Sequence, residues 1–341
     1  MTNVDRFFAV LNGEKVDRLP IIEWAGWWNQ TLERWYGEGL SRDIPRELIQ
    51  NRFGLDPMHR FWFRTISNGA PEPAYNGAPL IYTEEDYENF KRYLYDENAP
   101  RYRKMIRNLQ SIAPSHKEGR DVVWLSFDGF FWHPRALFGI ENHLYSFYDE
   151  PELYHKICAD LADFIVRSLP EIFSILTPEF VVISEDMSYN GGPMISKAHF
   201  DEFMLPYYKQ IIPEIKKYVT KVIIDSDGDI TEMIPWFIRA GIDGVLPLER
   251  KAGVDIVALK EKYPDFIFIG GYDKMVMSKS EDDMRCEFER LLPAIKAGGF
   301  IPSCDHQTPP EVSMENYKIY VKLLKEYAKK ACNLQLPTRI H

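Results

Sequence analysis

Cysteine is scarce in this chain. There are four in 341 residues, Cys158, Cys286, Cys304 and Cys332, far apart and with no CxxC pair. That spacing excludes a disulfide framework and fits a reducing compartment, with Cys158 and Cys286 expected on helix faces. No apolar run approaches membrane-spanning length. The first residues, MTNVDRFFAVLNGEKVDRLP, lack the basic start and long apolar centre of a signal peptide, so a cytoplasmic protein is expected. Basic charge is in deficit, with 41 Lys+Arg against 51 Asp+Glu and a net charge of −10. A nucleic-acid partner held by phosphate neutralisation is therefore not expected. No linker and no short repeat divides the chain, and a single domain over 1–341 is the simplest organisation.

Aromatic residues, in contrast, are abundant at 14%, and four of the eight tryptophans fall within Trp24–Trp35. Most aromatics pack in a core, but a cluster beside a strand end also suits a pocket for a flat apolar ligand. The stretch Lys221–Glu249 sets the pattern for the rest. Val222–Ile224 reads as a buried strand ending in Asp225-Ser226-Asp227-Gly228. A helix from Ile230 to Ala240 stops at Gly241, and a second strand, Gly244–Leu248, ends on Glu249. This β-α-β unit carries acids at the C-terminal ends of its strands, the edge where parallel α/β sheets and barrels bind ligands.

The same alternation runs from residue 121 onward. Strands are expected at Val122–Phe127 (ending in Asp128-Gly129), Phe180–Ile183 (ending in Ser184-Glu185-Asp186), Phe266–Ile269 (ending in Gly270–Lys274) and Phe300-Ile301 (ending in Ser303–His306). Helices are expected at Pro151–Leu176, from Lys197 towards Tyr218 after a Ser196 cap, at Asp255–Lys262, from a Ser280 cap to Ala297, and at Val312–Lys330. The segment FFWHPRALFG reads as a loop. Upstream, Leu19–Ala25 reads as a strand ending at Glu23-Trp24. Short helices are expected at 4–12, Trp27–Tyr36 and Pro45–Asn51, after Thr83, and at Pro100–Ile112. Phe61–Tyr82 carries Asn68-Gly69 and Asn76-Gly77, which signal a β-hairpin excursion. The count predicts an α/β fold, a (β/α)8 TIM barrel with an N-terminal helical and hairpin insertion at about 37–115. An open doubly wound sheet is the alternative. It is disfavoured because nearly every strand here ends in polar residues.

Four stretches in order, SEDMSYNGGPMISKAHFDEFMLPYYKQI, DSDGDITEMIPWFIRAGIDG, GGYDK and GGFIPSCDHQTPPEVSMENY, resemble the uroporphyrinogen decarboxylase superfamily over roughly 120–330. The resemblance implies the same barrel and divides on function. The decarboxylase branch has an R-Q-A-G-R motif where this chain has Glu23-Trp24-Ala25-Gly26-Trp27, with tryptophan in place of arginine. A substrate with eight carboxylates needs several cations, and that strand end offers none. The other branch holds cobalamin- and zinc-dependent methyltransferases, with H-x-C-G where this chain has Asp225-Ser226-Asp227-Gly228. Cys304 is similar to their third zinc ligand, and His306 to a histidine of the decarboxylases. Two carboxylates in place of a histidine and a cysteine make a harder, oxygen-binding site.

The resemblance and the acids together suggest catalytic roles for Asp225, Asp227, Glu185 and His306, and a metal set of Asp225, Asp227, Cys304 and His306 for zinc or another divalent ion. Trp24, Trp27, Asp128, Trp132, Glu249 and Lys274 are expected to bind substrate. Plainer readings stand beside these. Asp227 or Asp229 caps a helix, Glu185-Asp186 pairs with a neighbouring cation, His306 is structural, Asp273-Lys274 starts a helix, and each tryptophan packs in the core. The function expected is methyl transfer from a small O-methyl, possibly methoxy-aromatic, or N-methyl substrate to cobalamin on a partner corrinoid protein. A homodimer is the candidate oligomer. Decarboxylation of a tetrapyrrole, or a non-catalytic barrel that binds a corrinoid or tetrapyrrole, are the alternatives.

Overall fold

The computed structural model describes residues 1–218 and 221–331; Cys332 lies outside them. The described strands are β1 (Met58–Phe63), β2 (Val122–Asp128), β3 (Phe180–Ser184), β4 (Ser188–Tyr189), β5 (Gly192–Pro193), β6 (Val222–Asp225), β7 (Gly244–Leu246), β8 (Ile267–Tyr272) and β9 (Phe300–Cys304). Seven of them form one curled sheet in the order β1-β2-β3-β6-β7-β8-β9, and every pairing in it is parallel. The remaining two make a small antiparallel hairpin at the C-terminal edge of β3. The long crossovers between parallel strands carry helices, which gives a TIM-barrel-like α/β fold. Strands β2, β3, β6, β7, β8 and β9 are buried along their whole length, as continuous Val/Ile/Leu/Phe-rich runs require when both faces are covered. Among the described residues no helix is long and apolar enough to cross a membrane.

The expected strand at Leu19–Ala25 joins no ladder. Pro20 has no N–H to give. The Ile21 N–H goes to the Asp56 carboxylate (2.9 Å) and the Trp24 N–H to Ser303 Oγ (3.3 Å). The segment still connects the two edges of the sheet. The Asp56 N–H beside β1 donates to the Ile21 carbonyl (2.8 Å), and the Trp24 indole donates to the Cys304 carbonyl of β9 (2.7 Å).

The hairpin expected at Phe61–Tyr82 is not formed. Met58–Phe63 is a wall strand in register with Val122–Phe127. Its sequence, MHRFWF, hid it, because His59 and Arg60 interrupt the apolar run. Gly69 and Gly77 do turn, at φ 98° and 87°, but no strands flank them, and Ile66 makes only one isolated bridge, to Leu94. The loop expected after Gly129 is instead two helices, Trp132–Phe138 and Ile140–Asp149, divided at Gly139. The helix expected from Lys197 breaks at Met204 and restarts with Pro206 in its first turn. The helix expected from Ile230 begins only at Ile234, with Pro235 in its first turn.

Close strand packing at the C-terminal end of β8 depends on Gly270. Its φ is 113°, and a Cβ there would fall 2.0 Å from the Pro247 carbonyl oxygen. Gly270→Ala should destabilise the protein by about 1–3 kcal/mol or more through strain and overpacking. A thermal melt reads this as a lowered midpoint, and an unchanged midpoint would remove the constraint.

Candidate active site

Asp225 ends β6, and the backbone turns sharply after it at Gly228, whose φ is 82°. A Cβ on Gly228 would lie 2.6 Å from the Tyr189 backbone, so the turn and the β4–β5 hairpin meet only through glycine. The turn brings Asp227 back to the side of Asp225. Asp186 joins them from the end of β3, in the left-handed region at φ 48°. One carboxylate oxygen from each of Asp186, Asp225 and Asp227 lies within 4.8 Å of the others. Burial pushes Asp225 up to about 7; Arg60 opposes the rise, and Asp186 and Asp227 add to it. Asp186 rises to about 6, from burial and then the Asp227 charge.

Cations frame this cluster. Arg60 reaches in from β1, with Nε on Ser126 Oγ (3.0 Å), Nη2 on Ser184 Oγ (3.4 Å) and Nη2 3.6 Å from Asp225 Oδ2. Its guanidinium lies over the rings of Trp62 and Trp124, at 4.3 and 4.9 Å. His306 Nε2 is 3.4 Å from Asp227 Oδ2. Burial alone would lower its pKa, but the Asp227 bond and charge outweigh that and raise it. Trp24 lies edge-on to the His306 ring at 6.0 Å. Lys274 Nζ is 3.1 Å from Glu249 Oε1, and Glu249 also accepts the Gly228 N–H (3.0 Å), so both expected substrate-binding residues stabilise the turn. Asp305 is fully buried and accepts the Arg250 and Lys274 N–H groups at 2.9 and 3.1 Å. Asp273 accepts the Met275 N–H, so the plain reading of Asp273-Lys274 as a helix start holds too.

Four expected site residues are placed elsewhere. Glu185 is 0% exposed, and its carboxylate accepts the N–H groups of Phe130 (2.8 Å), Phe131 (2.7 Å) and Trp132 (3.3 Å) and the Tyr208 hydroxyl. It caps the start of the helix Trp132–Phe138, and Gly129 is required there because a Cβ would fall 2.1 Å from the Glu185 carboxyl carbon. Asp128 is filled by the Trp62 indole, the Thr65 N–H and the Thr65 hydroxyl, at 2.9–3.0 Å. Cys304 points away from the acids, its sulfur 3.7 Å from Met277 Sδ, so no zinc–thiolate set is assembled. Trp27 packs among Trp35, Phe53 and Tyr317. Trp132 lies beneath Arg135, whose charge acts on Asp186. Asp186, Arg60 and Arg135 were missed. Asp186 directly follows the expected Glu185, and Arg60 directly precedes the stretch Phe61–Tyr82 whose turns signalled a hairpin. The oxygens of Asp186, Asp225 and Asp227, with His306 beside them, fit a hard divalent cation better than zinc held by sulfur.

A TIM-barrel-like fold with acids and an imidazole at the C-terminal strand ends defines a class of enzyme-bearing barrels. The uroporphyrinogen decarboxylase (URO-D) family model matches residues 136–327, more than half of the chain, and the protein belongs to that family. It is 25% identical over 364 residues to a uroporphyrinogen decarboxylase of Synechococcus sp. (strain JA-3-3Ab), covering 95% of this chain and 94% of that one. It is also 25% identical over 264 residues to that of Trichodesmium erythraeum, covering 73% and 69%. A methyltransferase from Methanosarcina mazei has the same fold, with a TM-score of 0.66 at 14% identity, over 96% of this chain and 99% of that one.

If Glu185 is a cap, Glu185→Gln places an amide N–H₂ among donors and should cost about 1–3 kcal/mol. A lowered melting midpoint checks this, and an unchanged one would return Glu185 to the list of free site acids. Asp225 titrates near 7 in the fold, against an ordinary 3.8. The folded state therefore holds the extra proton between those values, and this stabilisation declines as pH rises from about 4 to 7. Asp225→Asn should flatten the fall in melting midpoint between about pH 4 and 7, by at most about 1.4 kcal/mol per pH unit.

Proposed function

We propose that the protein is a methyltransferase that takes a methyl group from a small O-methyl or N-methyl substrate, with an aryl methyl ether the best fit. The observation that carries this reading is the cluster of Asp186, Asp225 and Asp227 with His306 at the strand ends. Breaking a methyl–oxygen bond leaves the electron pair on oxygen, which then needs a proton or a Lewis acid. Asp225, with its pKa near 7, carries a proton to give at neutral pH. The Asp227–His306 pair provides a second proton donor and holds the imidazole in place. Arg60 holds Asp225 against β3 and β2, and its charge keeps the acids from repelling one another. A reduced corrinoid, when brought to this site on a separate partner protein, would supply the nucleophile for the methyl group. A divalent cation, where bound, would be held by the same three carboxylates and would polarise the leaving oxygen.

The curated relatives favour a decarboxylase, but the charge of the mouth argues against their substrate. Asp186, Asp225, Asp227, Glu249 and Asp305 gather there with Arg60, Arg135, Lys274 and His306. With each of these basic groups already facing an acid, the mouth offers no surplus of cations to a polyanion with eight carboxylates.

The protein, incubated with a reduced corrinoid protein and a panel of methoxyarenes, methylamines and methyl thiols, should release the free phenol from an aryl ether, read by chromatography. Asp225→Asn should lower that rate by about 10²–10⁴-fold. Release from no member of the panel would reject methyl transfer, and loss of carboxylates from uroporphyrinogen would replace it with decarboxylation.

A further inference from the structure

A cavity of about 490 Å³ opens between residues 39–53 and the helix Met314–Lys330, a size that accepts a small organic ligand. Four cationic side chains line it, Arg52, Lys318, Lys322 and Lys325, and among the described residues no acid does. In a chain of net charge −10 that gathering is not a sample of the average surface. Lys318, Lys322 and Lys325 follow one another at helical spacing on one face, where like charges repel. Their present partners hold them loosely. Lys318 meets Glu315 at 3.3 Å and Lys322 meets Glu281 at 3.2 Å, both at the surface, where such pairs contribute little. Glu281 also has Arg285 at 3.3 Å, so it keeps a cation when Lys322 turns away. Lys325 donates to the Phe53 carbonyl (3.0 Å) and has two ammonium protons left. Gly54 leaves room for it, since a Cβ there would lie 2.8 Å from Lys325 Nζ. Arg52 is exposed and has no partner among the described residues. The apolar part of the lining includes the buried Phe53 and Val321.

We infer that this cavity binds a small organic phosphate, with its phosphoryl group among the four cations and its apolar body against Phe53 and Val321. A single carboxylate carries one charge and answers only one of these groups. A phosphoryl group carries up to two charges on three acceptor oxygens, which meet the planar fork of Arg52 and several ammonium groups together. A bound dianion also offsets the repulsion along the helix face. None of the lining residues belongs to the acid cluster. The site is separate from the one that carries the methyl-transfer reading and does not depend on it.

Calorimetric titration with butyl phosphate, inorganic phosphate and butanol at low salt tests it. We expect butyl phosphate to bind at least about 10-fold more tightly than inorganic phosphate, because apolar surface taken out of water adds to the affinity, and butanol to give no measurable binding. Added salt should weaken the binding by screening the cations. Arg52→Glu and Lys322→Glu, both at exposed positions, should each weaken butyl phosphate by at least about 10-fold. Arg52→Lys, which keeps the charge, should retain most of the affinity, and Asp225→Asn, in the acid cluster, should leave it as it is. Equal affinity for butyl phosphate and inorganic phosphate would mean an adventitious ion only. That result, no binding at millimolar concentration, unchanged binding in both charge-reversed variants, or loss of binding in Asp225→Asn would each overturn the assignment.

Discussion

One side chain ties four consecutive strands across the interior. Arg60, on β1, bonds to Ser126 on β2 and Ser184 on β3, and lies 3.6 Å from Asp225 on β6. A guanidinium in such a place carries a desolvation cost of several kcal/mol unless its surroundings answer its charge and its donors. Here two hydroxyls, a carboxylate and two tryptophan faces do so. Burial still lowers its pKa, but an arginine keeps its proton in proteins. The charge is therefore fixed, and the acids at the strand ends are arranged around a cation that does not titrate.

Hydrogen-bond saturation separates the carboxylates of the barrel end into two kinds. Glu185, Asp128 and Asp305 are filled by backbone and hydroxyl donors, and each holds a turn or a helix start in place. Asp225 and Asp186 have few such donors and crowd one another instead. The same residue type at the same edge is thus structural in one place and chemically available in another. The difference lies in how many N–H groups reach it.

That difference explains how much could be read from the chain. The strand-end acids, the serine caps and the order of the α/β units follow from local patterns, and all six of the predicted strands after residue 121 pair in the sheet, with ends that differ by up to three residues. The role of Glu185 was not legible, because its donors, the N–H groups of Phe130 and Phe131, lie 55 and 54 residues earlier and reach it only where Gly129 leaves room for its carboxylate. Arg60 was missed for the opposite reason. A charged residue lowers the apparent hydrophobicity of the very strand it holds in the sheet. Asp186 was passed over because alternation along a strand gives no sign of the left-handed bend that turns it inward.

The segment at residues 19–25 fills a place in the wall without sharing the backbone ladder. It is attached by Asp56, Ser303 and the Trp24 indole. A strand in a ladder cannot change its course without breaking its neighbours' pairing, and this one has few such obligations. Its backbone can therefore shift without unpairing the other seven strands, while Leu19, Ile21, Ile22 and Trp24 stay buried in the core. This panel is the part of the wall whose course can differ while the backbone ladder of the seven parallel strands stays the same.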